Sequence, residues 1–329
     1  MTTMRALRAH DLTGPPGLWE DRTPVPPRPD QAAVRIDVHA AGIGFVDTLV
    51  TRGKYQVRQE PPFTPGMEVA GVVEWAPPGS GLTAGQRVYA SVPVGGCAET
   101  VWAQRHLVAP LPDSLSAARG AALVVNDHTA HVALVRRAGL RPGESVLVHG
   151  AAGGLGSASV RIAAALGARV TAVASTPERR AAATAAGAHQ VYGPEAWLDT
   201  VRADGGADII IDPIGGDVFD ASLRALAPEG RLLTLGYVSG RIPSAPANRL
   251  LLRNCDVRGV NWGGLIAAHP ELFRSIADDV AILLDKGMPP PTAVEYDLTD
   301  AQAAFTAIEQ RDIIGKTVLL VRKPGAMAA

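Results

Sequence analysis

The sequence predicts an α/β protein: a doubly wound parallel sheet in the middle of the chain, preceded by a separate β-rich unit. Three observations carry this. The glycine run Gly150-Ala151-Ala152-Gly153-Gly154-Leu155-Gly156 follows the apolar stretch Ser145–His149 and opens an amphipathic run, which is the strand, glycine turn and helix of a dinucleotide fold. Downstream of it, short apolar runs alternate with helical ones, as a parallel sheet covered on both faces requires. Upstream, short extended runs are punctuated by Pro and Gly clusters such as 14–17, 26–27 and 77–79.

The elements follow in order. Val34, Ile36, Val38 and Ala40 alternate with polar positions, and 69–75 and 98–103 are further extended runs. After about Ala117 the texture changes, and a helix is predicted over 126–138. Six strands are predicted at 145–149, 169–174, 190–192, 209–212, 231–235 and 256–260, with helices such as 177–186 and 218–226 between them. Six is the Rossmann count. Leu155, Ser159, Ile162 and Leu166 give the helix after the glycines one face to lay on that sheet. From about Asn261 two helical runs and a final strand at 316–321 return to the first domain. The expected domains are therefore 1–117, 118–260 and the returning segment 261–329.

At 329 residues and 47% hydrophobic content the chain can fill two cores. Its net charge of -1, from 31 basic and 32 acidic residues, offers no electrostatic case for nucleic acid or a membrane surface. The opening ten residues contain no apolar h-region and no later run reaches membrane-span length, so a cytoplasmic location is expected. Cys97 and Cys255 are too few for a disulfide framework and are expected to be buried small apolar residues.

The glycine turn puts Gly153, Gly154 and Leu155 where backbone N–H groups and the positive end of a helix meet a pyrophosphate. About 20 residues on, an NAD site ends its second strand in Asp or Glu. Here that place reads Ala174-Ser175-Thr176. Ser175 and Thr176 can donate to a 2′-phosphate, and Arg179 or Arg180 can neutralise it, which predicts NADPH rather than NADH. The same Ser-Thr-Pro stretch also reads as a helix N-cap, and the two roles are compatible.

At this point the residues resemble a known family. The stretches 42–48, Arg52-Gly53-Lys54-Tyr55, 65–73, 142–154, 212–217 and 230–237 are similar to the zinc-independent quinone oxidoreductases, relatives of zeta-crystallin in the medium-chain dehydrogenase/reductase superfamily. The resemblance covers nearly the whole chain. It implies a GroES-like catalytic domain drawn from both chain ends around a Rossmann domain, the active site in the cleft between them, and a homodimer formed through an edge of the Rossmann sheet. Two departures stand out. Relatives usually carry Asn where this chain has Gly44, so the pocket is expected to be larger. The segment around Gly187 to Gly206 is short where relatives often place a Tyr near the adenine side, with Tyr192 a candidate for that role.

Zinc members of the superfamily hold their ion with Cys near position 44 and His just before Glu68. Gly44 and Met67 stand there instead, so no metal site is expected. His128 and His131, at helical i, i+3 spacing, lack a third ligand in view and read as ordinary helix histidines. Alcohol oxidation in this superfamily uses a metal to lower the hydroxyl pKa; a quinone, already polarised by conjugation, needs less help. The reduced acceptor then needs a proton, from Tyr55 or from water. By resemblance Thr129 holds the nicotinamide carboxamide and Lys316 lies near the coenzyme phosphates. Gly236, Tyr237 and Ser239 end the fifth strand, and Asn261 follows the sixth, at the carboxyl edge where such sheets bind ligands. Gly44, Tyr55 and Trp262 are expected to line the acceptor. Asp47 and Glu68 read as orienting groups. An activated alkene such as an enone or haloacrylate is the alternative acceptor. A non-catalytic NADPH-binding crystallin-like or RNA-binding protein is the alternative of another class.

Overall fold

The computed structural model describes residues 2–56 and 58–322. The described residues form two compact units, one within Met1–Val125, Pro270–Ala277 and Pro290–Ala329, the other within Asn126–His269 and Asp278–Pro289.

The first unit is mostly antiparallel sheet. It contains β1 (Thr3–Ala9) and β2 (Leu18–Pro24), which form a two-stranded ribbon, then β3 (Ala33–Ile43), α1 (Phe45–Thr51), β4 (Glu68–Trp75), β5 (Arg87–Ser91), β6 (Thr100–Gln104) and β7 (Val108–Pro110). The helix α2 (Ala117–His131) begins here and runs into the second unit. In β3, Val34, Ile36, Val38 and Ala40 are buried while Arg35, Asp37 and His39 are partly exposed, the alternation read from the sequence. The core gathers Leu18, Ile36, Val38, Val69, Phe305 and Leu319.

The second unit holds β8 (Ser145–His149), α3 (Gly154–Ala165), β9 (Arg169–Val173), α4 (Pro177–Ala185), β10 (Gln190–Tyr192), α5 (Trp197–Ala203), β11 (Ala207–Asp212), α6 (Gly216–Ala225), β12 (Leu226–Thr234), α7 (Ala247–Arg253), β13 (Asp256–Gly259) and α8 (Trp262–Ala268). Its sheet has the order β10-β9-β8-β11-β12-β13 and is parallel throughout, the doubly wound order 3-2-1-4-5-6. β8 and β11 are nearly continuous apolar runs because helices cover both faces. Leu147, Trp197, Ile210, Phe219, Leu226 and Leu232 form the core.

The chain then passes through α9 (Glu271–Asp285), β14 (Ala293–Asp297), α10 (Ala301–Glu309) and β15 (Lys316–Leu320). β15 pairs antiparallel with β3 and parallel with β14, so the end of the described chain lies in the first unit's sheet. The tail carries three helices rather than two, and residues 261–269 and 278–289 group with the second unit.

Two boundaries differ from expectation for physical reasons. α2 starts at Ala117, not 126, and continues as a π-helical turn over Val132–Ala138. Gly120 argues against a helix on propensity, yet a Cβ there would meet Leu111 Cδ1 at 2.5 Å, so close packing requires the glycine. β12 begins at Leu226 rather than 231. The breakers Pro228 and Gly230 hide its first half, where Glu229 takes a positive φ and the pairing with β11 shifts register. Among the described residues no helix is long and apolar enough to cross a membrane.

Candidate functional site

In the second unit, β8 ends at His149 and the backbone turns through Gly150 (φ 59°). The turn closes with Gly153 N–H donating to Gly150 O at 3.0 Å, and Gly153 is the N-cap of α3. No side chain caps that helix end, so its first-turn N–H groups and positive dipole are left to an anion. The neighbouring helix α4 is built differently: Thr176 Oγ1 accepts from Arg179 N–H at 3.3 Å. Bulk is excluded where it would close the turn. A Cβ on Gly156 would lie 2.1 Å from Gly150 O, the tightest approach in this turn. Gly156 was not among the predicted contacts, although it is the last glycine of the run.

Behind the turn, burial lowers the His149 pKa to about 3, so the ring is neutral. Its Nε2 lies 2.8 Å from Ser222 Oγ, whose hydroxyl donates to Val218 O at 2.7 Å, so Nε2 carries the proton that it donates. This histidine locks β8 to α6 and is structural.

Ser175 and Thr176 are exposed at the end of β9. The capping role of Thr176 is what the structure shows. Arg180 Nη1 donates to Ser175 O at 3.0 Å, which places a guanidinium beside the same turn, with Arg179 half-buried next to it. Glu178, hydrogen-bonded to Thr176, adds a carboxylate the sequence reading left out. Tyr192 pairs with Val173 and packs on the unit's core.

The segment after β12 is zipped to the end of β11. Leu235 N–H donates to Asp212 O at 3.0 Å and Ser239 N–H to Ile214 O at 2.9 Å. Asp212 Oδ1 accepts from Ile214 N–H and Gly215 N–H, while burial raises its pKa. Gly236, Tyr237 and Ser239 thus sit at the carboxyl edge, as expected, on a turn organised by a residue that was not singled out.

Thr129 is buried on α2, and its hydroxyl makes no hydrogen bond among the described residues. Two residues expected at the site have other work. Asn261 Oδ1 caps α8 by accepting from Gly264 N–H at 3.0 Å. Trp262, 9% exposed, packs edge-on against His128 at 5.8 Å between ring centroids. His128, held near pKa 3 by burial, and His131, paired with Asp279 at 3.3 Å, are packing histidines.

In the first unit, Gly44 caps α1 and donates its N–H to Asp47 Oδ2 at 2.8 Å. A Cβ at Gly44 would face Lys316 Nζ at 3.2 Å, with Asp47 Oδ2 and Glu68 Oε1 just beyond. The space a side chain would take at Gly44 is therefore closed by the Lys316 ammonium, so the pocket is not widened at this point as the sequence leads one to expect. Lys316, expected near the coenzyme phosphates, has its ammonium engaged within the first unit. It is 4% exposed, and its ammonium pairs with Glu68 Oε1. Glu68 Oε2 accepts from Val125 N–H at 2.8 Å. Burial pushes the Asp47 pKa up to about 6, with Lys316 opposing the rise. Asp47 thus holds the start of α1 and Glu68 the backbone of α2. Tyr55 is half-buried against the core, in the turn after α1. Arg52 anchors that turn through two hydrogen bonds to Glu309 at 2.6 and 2.8 Å. Among the described residues no three His, Cys, Asp or Glu side chains are grouped to hold a metal.

Residues 30–120 match the alcohol dehydrogenase GroES-like domain, and residues 154–278 match the family described as zinc-binding dehydrogenase. With the parallel sheet and its glycine turn, these define a two-domain oxidoreductase of GroES-like and Rossmann parts. Bovine quinone oxidoreductase-like protein 2 is 36% identical over 315 residues, covering 93% of this chain and 90% of the relative. A probable oxidoreductase from Mycobacterium abscessus superposes with a TM-score of 0.89 at 38% identity, over 97% of this chain and 99% of that one. The quinone oxidoreductase from Thermus thermophilus, solved also in complex with NADPH, superposes at 0.80 with 36% identity, over 96% of this chain and all (100%) of that one. The chain belongs to the zinc-independent quinone oxidoreductase family of the medium-chain dehydrogenase/reductase superfamily.

Proposed function

We propose that the protein is an NADPH-dependent reductase that transfers hydride to a quinone without a metal ion. The observation that carries this is the N-terminus of α3, which no side chain caps and whose glycine turn a Cβ at Gly156 would block. That is the cradle a diphosphate needs. Gly153, Gly154 and Leu155 would hold the diphosphate, and Thr129, Gly236, Tyr237 and Ser239 would hold the nicotinamide half. Ser175, Thr176, Arg179 and Arg180 would hold the 2′-phosphate; two arginines against the single carboxylate of Glu178 at this turn favour the phosphorylated coenzyme. Asn261 contributes through Nδ2, its Oδ1 being committed to the cap. The T. thermophilus relative, known with NADPH, supports the same assignment.

When bound, NADPH supplies two electrons as hydride to a conjugated acceptor, and one proton completes the hydroquinone. Tyr55 would donate that proton or orient the water that does, its ring held by the core and its turn by Arg52 and Glu309. Gly44 and Met67 supply neither thiolate nor imidazole, so no step is assigned to zinc. A homodimer is part of the same reading. β13 ends the parallel sheet, and nearby Leu251 and Leu252 of α7 are 77% and 80% exposed, apolar surface that a second copy would cover. The test is loss of 340-nm absorbance from NADPH against a panel of quinones and enones with EDTA present. Turnover with quinones supports the proposal; turnover with enones alone would move the acceptor to activated alkenes, and no turnover with either would overturn it.

A further inference from the structure

Asn126 is the first residue of the second unit and lies within α2. Its side chain reaches the glycine turn: a Cβ placed on Gly154 would be 2.4 Å from Asn126 Nδ2 but 3.5 Å from Oδ1. The donor end of the amide therefore faces the start of α3. Asn126 is half-buried, and its amide makes no hydrogen bond among the described residues.

Its position is not loose. The next residue, Asp127, is fully buried and pairs through Oδ1 with Arg161 Nη2 at 2.6 Å. Arg161 belongs to α3, seven residues beyond Gly154, and its Nη1 donates to Pro289 O at 3.0 Å. This buried pair ties α2 to α3 and fixes where Asn126 points.

We infer that Asn126 is a coenzyme-positioning residue whose Nδ2–H donates to a diphosphate oxygen of the bound dinucleotide. A helix-interior Asn carries a propensity cost relative to Ala, and an amide with no internal partner does not recover it within the protein. A neutral donor at an uncapped helix end adds directionality to the dipole's attraction for the anion. The inference rests on the NADPH reading above, and the experiment separates the two.

The protein is titrated calorimetrically with NADPH and with adenosine 2′-monophosphate, which lacks the whole diphosphate and the nicotinamide half. Asn126→Ala is expected to weaken NADPH about tenfold, the loss of one hydrogen bond to a charged group, and to leave the monophosphate unchanged. Asn126→Asp, whose carboxylate would face the anion, is expected to weaken NADPH more than Asn126→Ala does, again sparing the monophosphate. The melting temperature of each variant reports on folding. NADPH affinity within about twofold of wild type in both variants, or an equal loss of both ligands, overturns the inference while leaving the NADPH reading in place. Failure of the wild-type protein to bind NADPH overturns both.

Discussion

Replacing Lys316 by Met removes the cation from the buried cluster in the first unit and leaves Glu68 and Asp47 facing each other without compensation. Lys316 is 4% exposed and Glu68 2%, so water cannot take over the lost pairing. Breaking a buried ion pair from one side costs about 3–5 kcal/mol. At about 2–4 °C per kcal/mol for a unit of this size, the melting temperature of Lys316→Met should fall by roughly 6–20 °C at pH 8. The deficit should narrow as the pH falls towards 5, because without the ammonium that opposes its rise Asp47 takes up a proton more readily in the folded state. A second change, Glu68→Gln in the Lys316→Met background, should recover at least half of the loss, since a neutral amide can still accept from Val125 N–H. Differential scanning fluorimetry across pH reads all three. A melting temperature within about 2 °C of wild type, together with weakened NADPH binding, would refute the reasoning and return Lys316 to the coenzyme phosphates.

Asp47 holds a proton up to about pH 6 in the folded protein, against an ordinary value of 3.8, so the native state binds more protons over that interval. Its contribution to stability is therefore greatest below the unfolded value and is lost as pH rises through 6. Wild type should lose roughly 2.4 kcal/mol relative to Asp47→Asn between pH 4 and 7, read by urea unfolding of both; parallel pH profiles would count against it. Arg179→Ala should raise the KM for NADPH about tenfold and leave that for NADH within twofold, one charge-assisted bond being worth about 1.5 kcal/mol; steady-state kinetics with both coenzymes decide it. Tyr55→Phe should lower kcat about tenfold or more if the phenol gives the proton, whereas unchanged turnover assigns the proton to water.

Much of the fold was legible because it is local. β8 and β10 fall where apolar runs bounded by breakers put them, and the glycine turn falls where Gly150 to Gly156 require it. The start of β12 was hidden by Pro228 and Gly230, and the start of α2 by Gly120. In each case a tertiary constraint overrode a local propensity: a register shift in one, contact with Leu111 in the other. The site divides the same way. Gly153, Gly154 and Thr176 could be read from neighbours in sequence, but the partner of Lys316 lies 248 residues away, and no spacing announces it. Asn261 and Trp262 were placed correctly at the carboxyl edge, but capping and packing cannot be told from ligand contact by position alone. The approach of Asn126 to Gly154, again a long-range contact, became visible only with the fold.

The most direct test of the central claim is equilibrium titration of the wild-type protein with NADPH and with NADH, followed by coenzyme fluorescence. A turn that presents free N–H groups at α3 and hydroxyls with arginines at the end of β9 should bind NADPH at least tenfold more tightly. Equal affinity for the two coenzymes, or binding of neither, would contradict it.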